Sequence, residues 1–176
     1  MEDLLKGLNI YLIGMMGTGK TTVGKILAQK LGYRFLDTDE VIEAVAGKKI
    51  TEIFTEEGEE NFRDLESKIL NEVSAYIRST IATGGGIIQR QMNWSYLRQG
   101  LIIWLDTDLK IIQERLSNDQ SRPLASNLES LWSVRCPLYA QADLHIKIDN
   151  HQNPEDIVTQ IIELIPSVIN SKIDNS

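Results

Sequence analysis

Along this chain, short apolar runs alternate with stretches of helical periodicity. Segments rich in aliphatic and aromatic residues at 10–13, 34–36, 81–83, 101–105 and 144–148 read as strands. Between and after them, helices are predicted over 20–31, 39–46, 51–55, 59–77, 92–98, 108–116, 128–141 and 154–169. In the last of these, Ile157, Ile161, Leu164 and Ile165 recur at helical spacing, and Pro154 suits a first helical turn. Strands alternating with helices imply an α/β fold on a parallel sheet, and 176 residues suit one domain. The polar tail from Ser171 is expected to fray. Two segments interrupt the alternation. Residues 38–77 hold more helix than a crossover requires, and 117–127 is polar around Arg122 and Pro123. Beside a ligand site, such insertions serve to hold substrate and to close as a lid; away from one, they are surface decoration.

Composition removes several function classes. The chain is 42% hydrophobic and 24% charged, as ordinary soluble domains are. Its net charge of −7 argues against nonspecific binding to nucleic acid or to anionic membranes. An acidic chain that handles anionic substrates must gather its arginines locally. The single cysteine, Cys136, excludes an intramolecular disulfide and fits a reducing compartment. The acidic start Met1-Glu2-Asp3 moves straight toward the first strand with no signal or transit pattern, and 101–105 is too short to span a bilayer. A soluble, cytoplasmic protein with neither nucleic acid nor membrane as partner is expected.

The densest chemical signal is Gly14-Met15-Met16-Gly17-Thr18-Gly19-Lys20-Thr21, which fits the spacing Gly-x4-Gly-Lys-Ser/Thr. It follows a predicted strand and opens a predicted helix, the context that makes it a phosphate cradle rather than a Gly-rich turn. Successive backbone N–H groups curl around an anion, and the helix points its positive end at it. In such a loop Lys20 reaches the β- and γ-phosphates and Thr21 offers its hydroxyl to Mg²⁺.

Other candidates fall where an open parallel sheet binds ligands, beyond the carboxyl ends of its strands. Asp37 and Asp39, in Leu36-Asp37-Thr38-Asp39, offer one acid for a metal and one for a substrate, or simply a helix N-cap. Asp106 is a rival metal acid, but the helical pattern beginning right after it favours a capping role. Thr83-Gly84-Gly85-Gly86 concentrates backbone entropy cost that a plain turn has no reason to bear, so a ligand approaching the main chain explains it better. Neither glycine-rich site completes Gly-x-Gly-x-x-Gly, which counts against dinucleotide binding. Arg63 and Arg135 either grip a carboxylate through their planar forks or lie in surface ion pairs. Arg115 and Arg122 fall where cations face a triphosphate. His145 and His151 lack partners at metal spacing, and Trp94, Trp104 and Trp132 read as packing residues.

In order and spacing, these segments resemble the shikimate kinase family from Asn9 to Ile169. The resemblance rests on the phosphate loop, Leu36-Asp37-Thr38-Asp39, Gly58-Glu59-Glu60-Asn61-Phe62-Arg63, the triple glycine, Arg122-Pro123-Leu124 and Arg135-Cys136-Pro137-Leu138-Tyr139. It implies a three-layer P-loop fold of the nucleoside-monophosphate kinase type, with five parallel strands in the order 2-3-1-4-5, a shikimate-binding insertion in 38–77 and a lid in 117–127. It also implies Mg²⁺-assisted transfer of phosphate from ATP to the 3-hydroxyl of shikimate by direct in-line attack, in a monomer. Carried over residue by residue, Gly17, Thr18, Gly19, Lys20, Thr21 and Thr22 hold the ATP phosphates. Thr21 ligates the metal, and Asp37 acts on it through water. Asp39 is the candidate base, and Lys20 and Arg122 complete the catalytic set. Arg63, Gly85, Gly86 and Arg135 bind shikimate, with Glu66 holding Arg63. Arg115 stacks on adenine, and Gln152 stands where the family often carries arginine in the adenine loop. Ala125 follows Arg122-Pro123-Leu124 where a second leucine is frequent. Rival readings are another small-molecule P-loop kinase, gluconate- or nucleotide-directed, and a related binding protein without catalysis. A guanine-reading Asn-Lys-x-Asp motif is missing from the sequence, which counts against a regulatory switch.

Overall fold

In the computed structural model, which describes residues 2–117, 127–149 and 151–174, each apolar run becomes a strand of one parallel sheet. β1 (Ile10–Ile13), β2 (Arg34–Asp37), β3 (Ser79–Ala82), β4 (Leu101–Thr107) and β5 (Leu144–Ile148) lie in the order β2-β3-β1-β4-β5. All pairings are parallel, and Ile10 of the central strand faces Thr80 on one side and Leu101 on the other. Every residue of β1 is buried, because a strand covered on both faces needs a continuous apolar run rather than alternation. Its side chains still alternate. Ile10 and Leu12 enter one core with Leu27 and Ile161, while Tyr11 and Ile13 enter the other with Ile69 and Phe62. Each fully buried aliphatic side chain contributes about 1.5–3 kcal/mol relative to exposure.

Helices cover both faces. α2 (Lys20–Leu31) and α8 (Pro154–Asp174) pack on the Ile10–Leu12 side. α3 (Thr38–Ala46), α4 (Ile50–Ser74), α5 (Gln91–Leu97), α6 (Leu109–Ser117) and α7 (Leu128–Tyr139) contribute to the other. The expected α/β architecture and strand order are both present.

Several boundaries differ from the sequence reading, each for a local reason. A four-residue helix, α1 (Glu2–Leu5), precedes β1, with Leu5 fully buried. β3 begins at Ser79 rather than 81, because Ser79 and Thr80 are polar yet completely buried, and the Ser79 amide donates to Asn9 Oδ1 at 3.0 Å. β4 runs on through Asp106 to Thr107. Asp106 therefore does not cap α6: its Oδ2 lies 2.8 Å from His145 Nε2 on the neighbouring strand, and Asp108 Oδ1 instead accepts the Lys110 amide. The helices expected at 51–55 and 59–77 form one run, α4, kinked at Gly58 (φ 84°, ψ 169°) and ending at Ser74. A 3₁₀ turn, Ile87–Gln89, follows the triple glycine, and α8 continues to Asp174 instead of fraying from Ser171. No helix among the described residues is long and apolar enough to cross a membrane.

Candidate active site

Three adjacent strands deliver the site. β1 runs into the phosphate loop, β2 into Asp37 and Asp39, and β3 into Gly84, so the strand order alone brings three distant segments to one edge. In the loop, Gly17 (φ 76°) and Gly19 (φ 90°) hold left-handed backbone that an L side chain strains to adopt. The Thr18 hydroxyl donates to the Met15 carbonyl at 2.9 Å and closes the turn internally. Lys20 is buried, with its ammonium donating to the Gly14 and Met15 carbonyls at 2.8 and 2.7 Å. A cation is thereby held over the cradle before any phosphate arrives.

At the first turn of α2, the Thr21 hydroxyl donates to Asp37 Oδ2 at 2.6 Å. Asp37 Oδ1 accepts the amides of Asp39 and Glu40 at 3.0 and 3.4 Å, so Asp37 is both the N-cap of α3 and the anchor of Thr21. The N-cap reading of Asp37 is thus the one seen, and the same carboxylate also holds Thr21. Asp39, released from capping, sits in the first turn of α3 and lines the same cavity.

The triple glycine is explained by space. A side chain on Gly84 would start 2.9 Å from Asp39 Oδ1 and 2.9 Å from Glu66 Oε1. One on Gly85 would meet Arg135 Nη1 at 3.3 Å, and one on Gly86 would overlap the Arg63 guanidinium. Gly84 makes room for two carboxylates, and Gly85 and Gly86 for one guanidinium each. The Thr38 hydroxyl orients the run by accepting the Gly84 amide at 3.1 Å.

The two arginines are held differently. Arg63 Nη1 donates to Glu66 Oε2 at 2.9 Å, and Nη2 to the exposed Glu59 at 3.3 Å. Glu66 is 1% exposed, and burial pushes its carboxyl above the ordinary range against the opposing pull of Arg63. Arg135 is 5% exposed; its Nη2 donates to the neutral Gln89 at 3.2 Å, and its guanidinium also interacts with the Tyr139 hydroxyl. Its Nε and Nη1 are buried with no hydrogen-bond partner among the described residues. Burying charged donors without acceptors is costly, and two such donors on one planar fork suit a carboxylate.

A cavity of about 450 Å³ runs along the phosphate loop, bounded by Asp37, Asp39, Thr83, Gly85, Arg115 and Gln152. Arg115 Nη1 donates to the Gly17 carbonyl at 2.9 Å, which brings α6 against the tip of the loop. Gln152 Nε2 bonds Gln160 Oε1 at 3.2 Å at the start of α8. Arg63, Gly86 and Arg135 are not among the residues that bound this cavity, whereas Gly85, next to Arg135 Nη1, is. Arg122, Ala125 and most of the expected lid lie outside the described residues. Burial, and then the nearby Asp106, raises the Cys136 thiol, which favours its protonated form. His145 stacks on Trp104 with ring centroids 4.1 Å apart, a packing role on another edge of the molecule. Among the described residues, no group of three or more His, Cys, Asp or Glu side chains is arranged to hold a metal. Sequence reading gave no role to Gln89, Thr38 or Tyr139. For Tyr139 the signal existed: it follows Arg135 by four positions, which puts both on one helix face.

Sheet order and phosphate loop together define a class, the P-loop phosphotransferases built on a five-stranded parallel sheet. Similarity to known proteins narrows it. A family model described as shikimate kinase matches residues 16–166. A shikimate kinase of Nostoc punctiforme is 53% identical, covering 96% of this chain and 97% of the relative. One of Rippkaea orientalis is 52% identical over 98% of this chain and 96% of its own length. A solved shikimate kinase of Acinetobacter baumannii, in complex with shikimate, superposes with a TM-score of 0.88 at 38% identity, covering 94% of this chain and 97% of that one. The chain belongs to the shikimate kinase family and is a phosphotransferase.

Proposed function

We propose that this protein transfers the γ-phosphoryl group of ATP to the 3-hydroxyl of shikimate, giving shikimate 3-phosphate for aromatic amino-acid biosynthesis. The observation that carries the reading is Arg135, a buried guanidinium with two donors awaiting an acceptor, one glycine away from a phosphate cradle. A planar carboxylate accepts two parallel N–H bonds from such a fork, and shikimate is a carboxylate with a hydroxyl to phosphorylate. The A. baumannii relative is described with shikimate bound, in support of the same acceptor here.

Phosphoryl transfer needs positioning and charge neutralisation more than covalent help. Residues 17–22 cradle the ATP phosphates, Lys20 turns from the loop carbonyls to the β- and γ-oxygens, and Arg115 and Gln152 border the nucleotide. Asp39 accepts the hydrogen bond, and then the proton, of the attacking hydroxyl. Arg135 grips the carboxylate, with Arg63 joining from the other side of Gly86 under the hold of Glu66. Arg122 belongs to the catalytic set by its motif. The Thr21 hydroxyl and Asp37 carboxylate, 2.6 Å apart, fit a hard cation that keeps most of its water. A Mg²⁺ ion held by them would supply charge neutralisation for phosphoryl transfer. Residues 38–77 form the acceptor-holding part of a single domain, and the protein acts as a cytoplasmic monomer.

A coupled ADP-release assay with shikimate, gluconate, nucleoside monophosphates or no acceptor tests the reading. Turnover is expected with shikimate alone, lost on chelation and restored by Mg²⁺. Equal turnover with gluconate or a nucleoside monophosphate, or an ATPase rate indifferent to acceptor, would overturn it.

A further inference from the structure

We propose that Tyr139 is a positioning residue that fixes the spacing between the acceptor and phosphate-donor halves of the site. Its side chain is fully buried, with the ring stacked on Trp104 at 5.8 Å. The phenol hydroxyl donates to the Gly85 carbonyl at 2.5 Å and lies 3.7 Å from Met15 Sδ. Gly85 belongs to the run that makes room for Arg135 and Arg63. Met15 belongs to the phosphate loop, and its carbonyl holds the Lys20 ammonium. One hydroxyl therefore touches both halves at the place where they meet. The same junction is tight elsewhere: a side chain on Gly85 would meet Met16 N at 3.4 Å and the Gly14 carbonyl at 3.5 Å.

Helix geometry explains why this residue holds that position. Arg135 and Tyr139 are four apart on α7, so one helix presents the carboxylate-facing fork and the pin for Gly85 side by side. The peptide between Gly85 and Gly86 is planar and trans, so fixing the Gly85 carbonyl also fixes the direction of the Gly86 N–H. Burial raises the phenol to about 12, so the hydroxyl stays protonated near neutral pH. In-line transfer depends on holding the hydroxyl nucleophile near the γ-phosphate, and displacements of about 1 Å cost on the order of a hundredfold in rate. The inference rests on the shikimate reading above, and concerns geometry rather than contact with substrate.

Tyr139→Phe keeps the ring on Trp104 and removes only the hydroxyl. Its kcat/KM for shikimate is expected to fall by about tenfold or more, with the ATP KM within about twofold of the parent value. Trp104→Phe, which loosens the ring but leaves the hydroxyl, is the control: a lower Tm with both KM values nearly unchanged. Shikimate kinetics unaltered by Tyr139→Phe would overturn the proposal, as would equal rises in both KM values or a matching shikimate defect in Trp104→Phe. Should Tyr139→Phe not fold, 3,5-difluorotyrosine inserted at position 139 keeps the shape and changes donor strength. A shift in shikimate kcat/KM alone then supports the proposal, and no shift overturns it. Parent enzyme that ignores shikimate would instead sink the functional reading, so the two failures are distinct.

Discussion

Asp39 and Glu66 approach the same point above Gly84, yet their environments assign them different work. Asp39 stands in the first turn of α3 beside the phosphate cavity, where a hydroxyl nucleophile would lie. Asp39→Asn keeps the shape and removes the proposed base, so kcat should fall by on the order of 10²-fold or more, with an unchanged circular dichroism spectrum. Near-parental turnover would remove Asp39 from the chemistry. Glu66 is a holder of Arg63, and its burial raises the carboxyl pKa above the reference 4.5. A group that keeps its proton to higher pH in the folded state than in the unfolded one contributes stability at low pH. That contribution is lost as pH rises through the folded value. Glu66→Gln titrates in neither state. The Tm of the variant minus that of the parent should therefore climb from about pH 4.5 upward and level off once Glu66 is ionised in the folded protein. Scanning calorimetry across that range measures it, and a difference that falls with pH would show that pairing with Arg63 outweighs burial. At pH 7 the same variant should show a raised shikimate KM, because Arg63 has lost its buried anchor.

Among the elements, glycine-bearing segments separate packing from function. Gly24 on α2 is tight because a side chain there would lie 2.6 Å from a Phe35 ring carbon and 3.2 Å from Leu12 Cδ1, both in the sheet. Gly86 is tight because of the Arg63 guanidinium, the movable end of a long side chain. Gly24→Ala gains about 1 kcal/mol of helix propensity and costs about 1–3 kcal/mol in overpacking. It should lower Tm while leaving the shikimate KM within about twofold. Gly86→Ala should do the reverse, displacing Arg63 and raising the shikimate KM at little cost in Tm. Parallel thermal melts and kinetics decide, and a pair of variants that behave alike would remove the distinction. The elements themselves were legible where apolar periodicity was unbroken: β1, α2 and β5 keep the bounds read from sequence. Reading failed where burial is polar. Ser79 and Thr80 hide the start of β3, and Asp106 passes for a cap because its partner His145 is 39 positions away on β5. The site was legible as motifs, because the phosphate loop and triple glycine are contiguous. The unequal holding of Arg63 and Arg135 was not, since Gln89 and Tyr139 act through contacts 46 and 54 positions apart.

Over the whole molecule, a chain of net charge −7 gathers cations at one edge of its sheet, as the proposed binding of two anionic substrates requires. Lys20 and Arg115 serve the cavity along β1, while Arg63 and Arg135 stand against Gly86 and Gly85. Both groups hang on strands of the same sheet, and the cores on its two faces share those strands, so unfolding should release both sites together. A ligand that binds only the folded state at a hundred times its Kd adds about 2.7 kcal/mol of stability. For a chain of this size, that corresponds to a Tm rise of roughly 5–11 °C. Shikimate and a non-hydrolysable ATP analogue should each produce such a rise in a single cooperative transition. Arg135→Ala should abolish the shikimate rise and retain the nucleotide rise; Lys20→Ala should do the opposite. Loss of both rises in either variant would mean that the halves are not separable by charge. Gly85 would then be a shared wall whose disturbance empties both.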